Sequence, residues 1–207
     1  MKQDTLLYKF TKRLFDLIFG ILLFLISLPI IIIAIFAIRI DSPGSPIFFQ
    51  KRVGHNGKLF TMIKLRGMYS NSRKLFPRLY DYSGQNDLNF HFHFAEDPRV
   101  TKVGRFTRKT SIDELPNFLN VVMGSMSLVG PRPEIPEVMN LYGPYRDEYL
   151  SVKPGITCWS KCTGRDTLTK EETILLDLGY VRSRSIMIDF KILYKTFLNV
   201  LGIKNVF

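Results

Sequence analysis

From Leu17 to Ile38 the chain carries no charged residue, and only Gly20, Ser27 and Pro29 interrupt its apolar character. A run of this length is too long and too apolar for an ordinary surface helix and reads as a membrane segment. A cleavable signal peptide is disfavoured, because the run is long for one and continues into Arg39-Ile40-Asp41 with no small-residue cleavage site. As a straight helix it would reach roughly 33 Å at ~1.5 Å per residue, just enough to cross the hydrocarbon core. Pro29, near its middle, removes a backbone donor and crowds the preceding turn, so a kink is expected there, with Ser27 placed to take up a freed carbonyl. Lys9, Lys12 and Arg13 precede the run and Arg39, Lys51 and Arg52 follow it, so positive charge favours neither orientation of a spanning helix. A segment with both ends on the cytoplasmic side satisfies both flanks. The preferred reading is therefore a re-entrant helix-break-helix over residues 1–40 that dips into one leaflet, bent at Ser27 and Pro29. A spanning helix with an ordinary proline kink is the plainer alternative.

The remainder, residues 41–207, has the size of one ordinary globular domain, a single functional unit. The formal charge of the chain is +11, with a pI near 9.7, which calls for a polyanionic partner: nucleic acid, an anionic lipid surface or a phosphorylated substrate. Cys158 and Cys162 are the only cysteines, too few for a disulfide scaffold, so a reducing compartment and buried thiols are expected. With three scattered histidines a zinc site is not expected; His91 and His93 alternate with phenylalanines and read as a locally extended surface segment.

Ile47–Val53 and Lys58–Lys64 read as two strands of a β-hairpin around Gly54-His55-Asn56-Gly57. Tyr69 to Pro98 is polar, aromatic and irregular, expected as a long loop with one short helix. A helix is expected over Leu115–Met123, and because proline is tolerated only in the first helical turn, Pro116 puts its start near Asp113. Further helices are expected around Lys170–Leu178 and over Ile186–Leu201. In the last, Ile186, Phe190, Leu193, Phe197 and Leu201 recur at three- and four-residue spacing, which suits a core-facing helix or one lying on a membrane surface. The fold class is α/β and mainly helical, with a short hairpin, interfacial helices and a compact cytoplasmic domain.

Asp113 and Glu114 stand in a basic neighbourhood, with Arg105, Arg108 and Lys109 before them and Gly130-Pro131-Arg132-Pro133 after. Two readings are open. Ser111-Ile112-Asp113-Glu114 matches a capping box, in which the carboxylates serve a helix N-terminus. Alternatively, one carboxylate acts as a nucleophile on phosphorus while the second holds a divalent cation, which needs few protein ligands when substrate oxygens complete the shell. Arg132, held between two prolines, is suited to a preorganised phosphate contact, and Arg108 and Arg165 can serve similarly. No Walker-type loop or dinucleotide fingerprint is present, so ATP hydrolysis and Rossmann-type redox chemistry drop out.

The ordered motifs Ser111-Ile112-Asp113-Glu114-Leu115-Pro116, Asn120-Val121, Met126-Ser127-Leu128-Val129-Gly130-Pro131-Arg132-Pro133-Glu134 and Lys153-Pro154-Gly155-Ile156-Thr157 closely resemble the bacterial sugar transferase family. These are monotopic phosphoglycosyl transferases, and the similarity runs from Lys12-Arg13-Leu14-Phe15-Asp16 to Asp189-Phe190-Lys191-Ile192-Leu193 in what resembles the minimal catalytic form. The resemblance implies transfer of sugar-1-phosphate from a UDP-sugar to polyprenyl (undecaprenyl) phosphate with release of UMP. That step would initiate surface-glycan or glycoprotein assembly at the bacterial inner membrane, on its cytoplasmic face. It implies Asp113 as the nucleophile and Glu114 as a ligand of Mg2+ with Asp113 beside it. Arg108 and Arg132 would be phosphate-site arginines, and Lys64 and Arg66 the basic end of a strand. Membrane lipids are implied partners and nucleic acid is not; a homodimer is left open. The re-entrant helix bent at Pro29 is likewise a family property.

The chain departs from the family pattern at several places. Leu28 precedes the proline where Ser-Pro is familiar, Gly67 replaces a hydroxyl residue before Met68, and Ser125 replaces a common Asp. Cys158 and the Ser160-Lys161-Cys162 run depart from a Gly-rich and Gln-Val pattern before Gly164-Arg165. Two other functions use some of the same features: a non-catalytic membrane-anchored module that binds polyanions, and a hydrolase of nucleotide sugars that passes the phosphosugar to water.

Overall fold

The computed structural model describes residues 4–80, 97–164, 168–200 and 202. His91, His93 and Arg165 lie outside them. The chain is mainly helical: α1 (Leu6–Asp41), the strands β1 (Ile47–Val53) and β2 (Leu59–Leu65), α2 (Ser72–Leu75) and α3 (Lys102–Lys109) come first. There follow α4 (Phe118–Val122), β3 (Ser127–Val129), α5 (Pro136–Met139), α6 (Arg146–Tyr149), β4 (Gly155–Thr157), α7 (Trp159–Thr163), α8 (Lys170–Ser183) and α9 (Ile186–Val200).

α1 is one uninterrupted helix that begins at an N-cap, Thr5, whose side chain accepts from the Tyr8 amide, and that passes through Pro29. The expected break is thus not an interruption of helical structure. Ser27 does not serve the carbonyl that Pro29 leaves without a donor, that of Leu25; its hydroxyl donates to the Phe24 carbonyl at 2.9 Å. Apolar residues such as Ile18, Ile26, Ile33 and Phe36 are exposed along one side. On the other, Gly20, Ser27, Ile31, Ala34 and Ile38 are buried against the rest of the molecule. Gly20 marks the tightest approach: a β-carbon there would lie 3.1 Å from Val121 Cγ1.

Both ends of α1 are fastened to the same body. Near the start, Arg13 donates to the carbonyls of Val121 and Val122 at 2.7 and 2.8 Å. Lys12 bridges Asp16 and Asp189 at 3.1 and 2.8 Å, and Asp16 in turn accepts from the Ser127 hydroxyl and the Leu128 amide. At the other end, Asp41 accepts from the Val103 amide at 3.0 Å. The Arg66 guanidinium donates there to the carbonyls of Pro43 and Ser42, both at 2.7 Å, and to the Ser42 hydroxyl.

β1 and β2 form the antiparallel hairpin within one residue of its expected bounds, Ile47 facing Leu65 and Val53 facing Leu59. A second pair, β3 with β4, is parallel and brings Ser127 beside Gly155 and Val129 beside Thr157. This pairing joins the Gly130-Pro131-Arg132-Pro133 stretch to Lys153-Pro154-Gly155. Glycine is needed there, since a β-carbon at Gly155 would fall 2.1 Å from the Gly130 nitrogen. One core cluster gathers Phe15, Met62, Val121, Met126, Leu128, Tyr180 and Ile192. A second lies around Val138, Tyr142, Tyr149, Ile174 and Leu178, and a third joins Ile31, Ala34 and Ile38 of α1 to Leu65. α8 starts at a true capping box, Thr169 with Glu172.

Candidate active site

The acidic pair sits on a tight turn of 3-10 type, Ile112–Asn117, rather than in the first turn of the expected α-helix, which begins only at Phe118. The capping-box reading fails on geometry. Ser111 has φ +60°, in the left-handed region, and its side chain makes no cap, so Glu114 is not drawn back to the start of the turn. Its carboxylate enters a cluster of cations instead.

Three elements build that cluster. β2 supplies Lys64, whose Nζ is 3.3 Å from Glu114 Oε1. The register of β2 against the turn is held by Asn120, whose Nδ2 donates to the Thr61 carbonyl at 2.8 Å and whose Oδ1 accepts from the Ile63 amide at 3.2 Å. Ser125, in place of the common aspartate, exchanges hydrogen bonds with Asn120 at 3.1 Å and so serves the same local structure. α7 supplies Lys161, whose ammonium pairs with Glu114 Oε2 and also donates to the Ile156 carbonyl at 3.2 Å. The proline-flanked loop after β3 supplies Arg132, with Nη1 4.0 Å from Glu114 Oε1.

Asp177 of α8, fully buried, sets two of these elements at once. It accepts from the backbone amides of Arg132 and Ser160, each at 3.1 Å, and the Tyr149 hydroxyl lies 3.1 Å from it and 3.0 Å from the Arg132 carbonyl. Beside Arg132, the buried Glu134 pairs with Lys170 and lies 3.7 Å from Arg52. A cavity opens between these groups, walled by Lys64, Glu114, Arg132, Pro133, Ile156 and Cys158.

The charges differ across the pair. Burial would raise the Glu114 carboxyl, but Lys161, Lys64 and Arg132 outweigh it and hold the group well below the usual carboxylate range. Asp113 goes the other way: burial raises it, the adjacent Glu114 charge adds to the rise, and Lys64, Lys161 and Arg108 oppose it more weakly. One carboxylate is a fixed anion, and the other is a more basic and hence more nucleophilic one. Cys158 is no rival nucleophile, because burial, with the Asp177 charge second, pushes its thiol up to about 12.

Of the residues singled out in the sequence, Lys64, Arg132 and Glu114 thus lie together. Arg108, on the last turn of α3, reaches Asp113 by its charge, and its side chain lies over Gly67, where a β-carbon would come 3.1 Å from Arg108 Cδ. Arg66 does not join them: its guanidinium is engaged at the C-terminal end of α1, so the structure gives it the role of an anchor rather than a phosphate contact. The donor set suits a divalent ion only through Asp113 and Glu114, since no group of three or more acidic, His or Cys side chains occurs among the described residues. A magnesium ion needs no more, and the two groups on the Glu114 oxygens at closest range are flexible lysines that can move aside.

A sequence profile described as bacterial sugar transferase matches residues 7–202 of this chain. The chain belongs to that family. Among its relatives, the UDP-galactose-lipid carrier transferase of Erwinia amylovora is 38% identical over 190 residues, covering 91% of this chain and 40% of the relative. The undecaprenyl-phosphate glucose phosphotransferase of Komagataeibacter xylinus is 38% identical over 209 residues, covering 95% and 37%. The exopolysaccharide production protein ExoY of Sinorhizobium fredii is 32% identical over 188 residues, covering 90% and 83%. The chain therefore spans about two fifths of the length of the first two relatives and most of the third.

Within this bacterial sugar transferase, two site residues escaped the sequence. Lys161 lies in the run that departs from the family pattern, and no spacing rule joins it to a glutamate on a distant turn. Asp177 sits inside a regular helix, where its only signal is an acidic residue on a face otherwise formed by Ile174, Leu178 and Val181.

Proposed function

We propose that this chain transfers sugar-1-phosphate from a UDP-sugar to polyprenyl phosphate by way of an aspartyl-linked phosphosugar. The observation that carries the reading is the asymmetry of the pair: Glu114 kept ionised by Lys64, Lys161 and Arg132, and Asp113 raised beside it. That division separates a charge that organises phosphate from a charge that attacks it.

In the first step an Asp113 carboxylate oxygen forms a bond to the phosphorus bearing the sugar, the bond from that phosphorus to the bridging oxygen breaks, and UMP leaves with that oxygen. In the second, a phosphate oxygen of the polyprenyl phosphate attacks the same phosphorus, the acyl-phosphate bond breaks, and Asp113 returns to a carboxylate. Lys64, Arg132 and Arg108 would orient the phosphate oxygens and offset the charge that develops on them. Arg165, next to α7 in sequence, is proposed for the same task on the strength of the family pattern. Asp113 and Glu114 would hold Mg2+, which when bound neutralises part of the diphosphate charge.

The location of the site supports a membrane-borne acceptor. α1 exposes an apolar side, and α9 continues it with Met187, Phe190, Tyr194 and Phe197 exposed, Phe190 packing edge-on to Phe15 at 5.1 Å. α1 is anchored at both ends to the body that carries the site, by Arg13 and Lys12 at one end and Asp41 and Arg66 at the other. This supports a re-entrant segment with both flanks on the cytoplasmic side, since a spanning helix would carry its ends to opposite faces. Two relatives are named for galactose and glucose transfer, so the sugar stays undefined here.

UMP release from a panel of UDP-sugars in detergent, with and without polyprenyl phosphate, tests the reading. Release that needs both lipid and Asp113, with Asp113→Asn lowering it on the order of 10³-fold or more, is expected. Lipid-independent turnover would mark a hydrolase, and no release with any UDP-sugar would leave a polyanion-binding module.

A further inference from the structure

The Ser160-Lys161-Cys162 run is one of this chain's own departures from the family pattern, yet it places a cation at the centre of the site. Lys161 lies across the Glu114 carboxylate from Lys64, one lysine on each oxygen. Its side chain is only 11% exposed, so its ammonium is a site group and not a solvated surface charge. Two of its three N–H bonds are taken by Glu114 and the Ile156 carbonyl, and Ile156 walls the same cavity. α7 itself is held in place through the Ser160 amide on Asp177, the carboxylate that also holds the Arg132 amide. Lys161 and Arg132 are thus set against the cavity by one buried group.

Lys64, Lys161 and Arg132 carry three positive charges around Glu114, and Arg108 adds a fourth near Asp113. The two carboxylates leave this cluster with positive charge in excess, which a diphosphate would neutralise. A lysine ammonium on a flexible stem can exchange a carboxylate oxygen for a phosphate oxygen without moving the backbone.

We propose that Lys161 is a ligand of the donor's diphosphate, leaving Glu114 for a phosphate oxygen when the donor enters. The proposal rests on the transferase reading for the identity of the donor. It gives the chain a grip on a nucleoside diphosphate that does not depend on a divalent ion.

The test is titration of UDP into the full chain in detergent with EDTA present, followed by calorimetry, using uridine as the phosphate-free control. Lys161→Gln is expected to weaken UDP about tenfold, leave uridine unchanged and keep the thermal midpoint near wild type; Lys161→Arg should restore UDP binding to within about threefold. A structural role would weaken UDP and uridine together, and that outcome, or equal UDP affinity in wild type and Lys161→Gln, overturns the proposal. Should Lys161→Gln not fold, acylation of wild-type lysines read by peptide mass spectrometry decides. UDP but not uridine should change labelling of Lys161 severalfold, and equal labelling overturns the proposal. Turnover on the same preparation separates the two claims. Lipid-dependent UMP release with Lys161-independent UDP binding sinks this inference alone; Lys161-dependent UDP binding with no UMP release supports it and counts against the transferase reading.

Discussion

Asp113 and Glu114 are chemically alike and adjacent, and their surroundings give them different work. Glu114 faces three cations and stays ionised; Asp113 is raised by burial and by Glu114. The sign of each shift fixes a pH dependence. A nucleophilic Asp113 acts only when deprotonated, so kcat/KM should fall as pH drops through its raised pKa, while Glu114, held low, keeps its charge over that range. On the alkaline side Lys64, lowered by burial and only partly held up by Glu114, loses its proton below the ordinary lysine range. The expected profile is a bell narrowed from both sides; activity that stays flat down to about pH 4, the ordinary aspartate range, would contradict the assignment. The adjacency of these residues was plain in the sequence, and their division of labour was not, because it depends on Lys64 and Lys161, each from a segment far away in the chain. The alternative of helix capping was legible too, and it fails only because Ser111 adopts a left-handed backbone that no pattern announces.

At the scale of elements, strong local signals were the readable ones. The hairpin, the start of α8 and α9 lie close to their expected bounds, while α8 runs on to Ser183, past the expected Leu178; turn signals and helical periodicity are written in neighbouring residues. The parallel β3–β4 pair, which joins the Arg132 loop to the Lys153-Pro154-Gly155 stretch, was invisible because each strand has three residues and their partnership is purely tertiary. Arg66 shows the same limit from the other direction: it stands two residues after Lys64, just past the end of β2. Residues two apart along an extended chain start from one face, yet Lys64 reaches Glu114 while the longer Arg66 turns to the last carbonyls of α1 and the following loop. Arg66→Gln should therefore cost about 2–4 kcal/mol of stability, because buried carbonyls lose charged donors, with KM for the UDP-sugar changed less than about threefold. Thermal unfolding in detergent and steady-state kinetics measure both, and a normal midpoint with a large rise in KM would return Arg66 to the phosphate site.

At the scale of the molecule, the apolar run of α1 and the basic site are two parts of one arrangement. In the proposed arrangement the exposed apolar side of the helix meets the lipid, while its buried stripe from Gly20 to Ile38 packs along the turn that bears the acidic pair and along α4. The run itself was legible from Leu17 to Ile38, but its anchoring at both ends was not, because the groups that hold it lie on α3, α4, β3 and α9 and just past β2. If both ends stay with one domain, Lys9→Cys and Ser45→Cys should react with a membrane-impermeant maleimide only after cells are opened. Labelling of one of them in intact cells would put the two ends on opposite faces and end the re-entrant reading.

The central claim is that Asp113 carries the phosphosugar between donor and lipid. Intact-protein mass spectrometry of the chain mixed with its UDP-sugar, in the absence of polyprenyl phosphate, addresses it directly. The expected result is an added mass equal to one phosphosugar, mapped to the peptide holding Asp113 and removed when polyprenyl phosphate is supplied. Lipid-dependent turnover without any such adduct, or an adduct on another residue, would contradict it.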